Sequence, residues 1–240
     1  MVVYSAFNPN RELMTIPQVF RQVCFFAAFV TTFTSLAHAQ PAQPAAPLQK
    51  MPADTVALRR DISFSQTRSR GAGGDWMAVM MEMLPNLNPD PSARSREFLE
   101  NVDIILHMAY IQDGKKGPKG EPLFDFYQSR CRIGIMKARE PVVLAFFLPG
   151  HIIERDNLPR EPEYWAVEIL VNDVPQEPSK SLVSRFYKKQ LEFLPSFLTK
   201  STQESRVNEG LLVPQYLAPA GITAAARVDT TIPFIREEGK

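Results

Sequence analysis

Cysteine and histidine are scarce in this sequence, with two of the first and three of the second in 240 residues. Neither an HExxH helix nor paired cysteines at zinc spacing occurs, so the chain has no sequence-local metal site. GxGxxG and P-loop patterns are also missing, and nucleotide cofactors thereby lose the backbone cradle that holds their phosphates. No GxSxG elbow lifts a serine toward a base. No cofactor is expected. The charges nearly cancel, at 27 basic and 26 acidic residues. Nucleic acid binding draws on a basic field that releases counterions, so a neutral chain is a poor candidate for it.

Long apolar runs are missing too. Val23 to Leu36 is uncharged, but as a helix it would cover only about 21 Å, short of the roughly 30 Å hydrocarbon core. Arg21 precedes the run, Ala37-His38-Ala39 forms a small-x-small site, and a Pro/Gln/Ala stretch follows. These features predict a secretory signal over residues 1–39, cut between Ala39 and Gln40. Met14 is the expected start, because Asn8, Pro9 and Glu12 suit a leader poorly. Cys24 opens the run instead of following it, which argues against a lipid anchor. A type IV pilin leader would be cut before its apolar segment, and here the small-residue site comes after. The expected destination is extracytoplasmic: periplasm, outer surface or medium. Only Cys131 would remain there, leaving a chain of about 200 residues to hold together by burial, with no internal disulfide.

Residues 40–54 are Pro-, Ala- and Gln-rich and read as a tether, with folding expected from about Thr55 through to Lys240 as a single β-rich domain. Thr55 to Phe64 alternates Val56, Leu58, Ile62 and Phe64 on one face. "WMAVMMEML" does the same with Met77, Val79, Met81 and Met83, a stripe read as core filler in preference to a copper(I) surface. "NVDIILHMAYIQ" is apolar on both faces after Asp103, as a central strand would be. "LFDFYQSRCRIGIMKA" sets a polar face of Gln128, Arg130 and Arg132 against one holding Cys131, predicted to be a buried, inert thiol. "PVVLAFFL" is a compact buried run. "EYWAVEILVND" places Trp165, Val167, Ile169 and Val171 on one face and Glu168 on the other. About six strands without alternating helices suit a sandwich or small barrel better than an α/β enzyme fold.

In "DGKKGPKGEP", Asp113-Gly114 signals a hairpin turn, lengthened by a basic loop bearing Lys115, Lys116 and Lys119. Farther on, "SLVSRFYKKQLEFLPSFLTK" has apolar residues at helical spacing, and Pro195 predicts that the helix ends or kinks near Leu194. "LLVPQYLAPAGITAAARVDTTIPFI" suggests an extended tail lying along the core.

Chemistry has few candidates. His107, inside an apolar strand, reads as a satisfied core or rim imidazole. His151 belongs to a loop or short helical turn with Glu154, Arg155 and Asp156. A carboxylate pair for glycoside hydrolysis would fall on Glu154 with Asp156, or on Glu161 with Glu163. Loops on a rigid sandwich are where recognition usually sits. The binding candidates are therefore Lys115, Lys116, Lys119, His151, Glu154, Arg155 and Asp156.

The stretch "FYQSRCRIGIMKAREPVVLAFFLPGHIIERDNLPREPEYWAVEILVND" resembles secreted immunoglobulin-like proteins of pilus-like gene clusters in mucin-dwelling gut bacteria. The likeness lies in strand patterning and the "FFLPG…REPEYWAVEI" phrasing and includes no functional motif. It implies an immunoglobulin-like sandwich in a surface or periplasmic assembly, and the absence of a pilin leader argues for an accessory instead of the filament subunit. The expected fold is mainly β: an immunoglobulin-like β-sandwich with a C-terminal helix and extended tail. The expected function is non-enzymatic binding or assembly, with an extracytoplasmic protein or glycan as partner; the alternative is a carbohydrate-acting hydrolase.

Overall fold

The computed structural model describes residues 50–69, 74–228 and 230–235. The chain divides into two units, and all of these residues lie in the second. The expected signal, its cleavage site and residues 40–49 of the expected tether lie outside the described residues. The described chain carries strands β1 (Val56–Leu58), β2 (Ser63–Ser69), β3 (Gly74–Pro85), β4 (Phe98–Lys116), β5 (Pro122–Lys137) and β6 (Val142–Pro149). Helix α1 (Gly150–Arg155) follows, then β7 (Tyr164–Val171), β8 (Val174–Pro175), α2 (Leu194–Glu204), β9 (Val213–Pro214), α3 (Ala220–Ala226) and β10 (Phe234–Ile235).

The protein is mainly β, in two antiparallel sheets. One has the order β1-β3-β6-β9, with β2 also on β3; the other runs β10-β5-β4-β7-β8. The chain crosses between sheets after β3, returns from β5 to β6, and crosses again to β7. Those crossings place β6 beside β3 and β7 beside β4, the pairing pattern of an immunoglobulin-like sandwich with an added strand beside its central pair. β4 is the central strand, as its two apolar faces predict.

Period-two alternation builds the core. β3 buries Met77, Val79, Met81 and Met83, so the methionine stripe is core. β4 meets it with Ile104, Leu106, Met108 and Tyr110, and β7 adds Trp165, Val167, Ile169 and Val171. Each fully buried side chain of this size contributes roughly 1.5–3 kcal/mol. Cys131 is buried among them and unpaired, as expected.

The outer faces follow a second rule. Ala78 and Ala145 leave room on the first sheet for Ile222 of α3, while Ala109 and Ala166 leave room on the second for Phe197 of α2. Small residues on the sheet admit large ones from a helix, and each outer face gains a helical cover.

Four local expectations are corrected. The run from Thr55 to Phe64 is two strands, β1 and β2, pairing with different stretches of β3. Asp113-Gly114 does not reverse the chain: both residues lie in β4, where the register with β5 shifts between Ile111 and Lys116. The reversal comes at Gly117–Gly120, and Lys115 and Lys116 accordingly sit on strand instead of loop. The third concerns Pro195, which begins α2 instead of ending a helix. A first-turn proline gives up only an N–H that has no intrahelical partner; the preceding residues form turns and a short 3₁₀ segment, Leu191–Phe193. Lastly, the tail is extended only in part, since α3 interrupts it between β9 and β10. Pairing also reaches Met51, ahead of Thr55: this residue is buried and bridges Gln176.

Candidate functional site

Two regions gather polar and aromatic side chains beyond what packing demands. The first is the end of the sandwich where the β4–β5 hairpin projects. Gly150 opens α1 against β3 so closely that a Cβ there would sit 1.9 Å from the Asp75 carbonyl oxygen. Only glycine fits this approach, which folds α1 across the end of the sandwich. Tyr127, fully buried on β5, donates its phenol to Asp156 Oδ2 at 2.5 Å just beyond α1. Arg155 grips the same carboxylate through two hydrogen bonds of 2.7 and 2.6 Å. The Arg155 hydrogen bonds, helped by Tyr127 and the charges of Arg155 and Lys115, hold Asp156 below the usual carboxylate range despite some burial. Burial, then the hydrogen bond to Asp156, pushes the Tyr127 phenol well above its ordinary value.

Seven candidates from the sequence divide accordingly. Lys115, Lys116 and Lys119 are exposed along the hairpin tip, and His151, Glu154 and Arg155 are exposed on α1. Asp156, partly buried, ties α1 to the hairpin arm, and Lys115 is near enough to act on it electrostatically. The fold thus brings one hairpin lysine and the end of α1 into one neighbourhood. In a hydrolytic pair of Glu154 with Asp156, the lowered Asp156 could be only the ionised member and never the general acid, which must keep its proton near neutral pH. Glu161 and Glu163 are exposed on the stretch before β7.

The second region is the outer face of the β5-β4-β7 sheet, which changes chemistry along its length. At one end Asp103, fully buried, accepts two hydrogen bonds each from Arg130 and Arg132 at 2.7 to 3.1 Å, and Arg132 also reaches Asp173. Burial alone would raise the Asp103 carboxyl, but the hydrogen bonds and charges of the two guanidiniums outweigh it and the net direction is down. A groove of about 790 Å³ opens beside this cluster, and Arg130 and Gln128 in its wall are already engaged by Asp103 and Ser205.

In the middle, under α2, His107 is fully buried with Nε2 2.7 Å from Glu168 Oε2 and Nδ1 3.0 Å from Ser201 Oγ. The expected satisfied imidazole is found. Serine, histidine and carboxylate in a row also match the composition of a hydrolase triad, which sequence spacing could not reveal across 94 residues. Ser201, however, is completely buried inside α2 instead of standing on an exposed elbow. The relay as built fastens a helix to a sheet.

At the far end, next to the hairpin, lies an aromatic cluster. Tyr164 packs 5.6 Å from both Phe124 and Tyr187, and Tyr187 packs 5.1 Å from Phe197. Lys200 of α2 stands 5.5 Å over the Phe126 ring. This cluster was missed from sequence because its rings come from β5, β7 and the segment 186–197, each unremarkable alone.

Among the described residues no cluster of His, Cys, Asp and Glu is arranged to hold a metal, and no helix is long and apolar enough to cross a membrane. No protein family and no curated protein matches the chain. A solved structure from Akkermansia muciniphila is similar at 11% identity and a TM-score of 0.40, over 54% of this chain and 67% of that one.

Proposed function

We propose that the protein is a non-enzymatic, extracytoplasmic binding or assembly module that uses the hairpin end of its sandwich to contact another macromolecule, a protein or a glycan. The observation that carries this reading is the joint between hairpin arm and α1. The Tyr127–Asp156 hydrogen bond ties the β5 arm of the hairpin to the end of α1, which carries exposed His151 and Glu154, and Lys115 of the other arm acts on the same carboxylate. A contact surface fixed before binding loses less conformational entropy when it engages. The signal-like leader read from residues 1–39 supports delivery outside the cytoplasm, and the missing nucleophile and cofactor motifs support a role without a chemical step.

Photo-crosslinking in the native cell tests it. A crosslinking side chain at Lys116 or His151 should trap one defined partner, whereas the same group at exposed Glu177, which follows β8, should not. Equal yields from all three positions would contradict the reading.

A further inference from the structure

The aromatic end of the β5-β4-β7 face is open where a pure core would be closed. A cleft of about 250 Å³ lies among Phe124, Tyr164, Tyr187, Phe193, Ser196 and Lys200. Its floor is aromatic, yet Phe193 is 52% exposed on the short 3₁₀ segment, an expensive position for a side chain with no partner. The Tyr164, Tyr187 and Ser196 hydroxyls have no hydrogen-bond partner among the described residues, and none is sealed from solvent. Burial, with a smaller contribution from Tyr164, pushes the Tyr187 phenol up to about 12, so it remains a neutral donor. Lys200 is the one charged side chain in the lining, and its contact with Glu204 is loose at 3.8 Å.

Aromatic walls, three unclaimed hydroxyls and one cation are complementary to a ligand with an apolar ring face, a hydroxylated edge and a negative charge. The volume falls below the roughly 300–1,000 Å³ usual for drug-sized ligands, which limits the occupant to a single ring. A peptide strand would need a long groove, and an acyl chain would leave the hydroxyls unpaired at a cost. We propose that this cleft binds one carboxylate-bearing sugar ring, the terminal unit of an acidic glycan. The ring stacks on Phe193, its hydroxyls meet Tyr164, Tyr187 and Ser196, and its carboxylate pairs with Lys200. Burial and, after it, the charge of nearby Glu163 raise the Tyr164 phenol, so a carboxylate is better placed at Lys200 than beside Tyr164. The site is separate from the hairpin lysines and stands or falls without them.

The test is titration of the purified protein with glucuronate, glucose and phenylacetate, followed by ligand-observed NMR. Glucuronate should bind with a dissociation constant near a millimolar, as a single-ring ligand does, and glucose about tenfold more weakly. Phe193→Ala and Lys200→Met should each weaken glucuronate about tenfold, as the loss of a stacking face or a charge-assisted hydrogen bond does, with the melting temperature unchanged. Lys119→Glu on the hairpin should leave it untouched. Equal affinity for glucose would remove the carboxylate from the proposal. Binding of phenylacetate without glucuronate would make the cleft a site for apolar acids, and failure of all three at tens of millimolar would overturn it.

Discussion

Replacing Ser201 by alanine removes the hydroxyl that faces His107 Nδ1 at 3.0 Å, in a contact where both residues are fully buried. The ring nitrogen then has no partner and no water, a loss of about 1–3 kcal/mol. Alanine is the better helix former in α2 and returns about 0.5 kcal/mol, leaving a net destabilisation of about 0.5–2.5 kcal/mol. For a domain of this size each kcal/mol moves the melting temperature roughly 2–4 °C, so calorimetry should record a drop of about 1–10 °C. The double variant His107→Phe with Ser201→Ala should be less destabilised than the sum of its singles, because neither side of the buried His107–Ser201 contact is then left unpaired and the partly exposed Glu168 can turn to water. Phe also keeps a ring edge against Phe197, which now lies 6.5 Å from the imidazole. Strict additivity, or a Ser201→Ala protein with an unchanged melting temperature, would refute the fastening role. Ester or amide hydrolysis abolished by that single change would restore the catalytic reading of the triad.

Gly150→Ala should destabilise by about 1–3 kcal/mol or more, since its Cβ would overlap a backbone oxygen that cannot rotate away; a melting scan checks it. Asp103 and Asp156 both have folded-state carboxyls below their unfolded values, so the stability they contribute is fully present above about pH 4 and disappears as the pH falls through the folded values. Denaturant midpoints measured from pH 7 down to pH 2 should fall across that acid window, and Asp103→Asn should flatten part of the slope. Burial, with the charge of Asp103 second, pushes the Cys131 thiol up to about 12, so a thiol reagent at pH 8 should label unfolded protein and spare the native form.

Strand alternation was the most legible feature of the sequence. The faces of Met77–Met83, Trp165–Val171 and the two-faced run around His107 fixed the central strands and the sandwich, because a buried sheet face imposes its period directly on composition. Turn chemistry was less legible. Asp113-Gly114 signals a reversal, yet Gly114 takes its positive φ of 67° within β4, and the chain turns only from Gly117 to Gly120. Pro195 was assigned to the wrong end of its helix, since a proline that stops one helix and a proline that starts another leave the same local pattern. The site was least legible of all. His107, Glu168 and Ser201 come from three elements that only the fold makes neighbours, and their positions in sequence carry no spacing rule. The seven hairpin and α1 candidates were named from loop character; what the sequence could not supply was the Tyr127–Asp156 bond that ties the two segments together.

Reversing the charge of Lys115, Lys116 and Lys119 to glutamate in one protein tests the contact surface most directly. All three are exposed, at up to about 0.5 kcal/mol each, so the melting temperature should move by no more than about 6 °C. Surface plasmon resonance against the crosslinked partner should show capture weakened at least tenfold, with the difference shrinking as salt is raised. Unchanged capture by a protein of unchanged stability would contradict the claim that this end of the sandwich makes the contact.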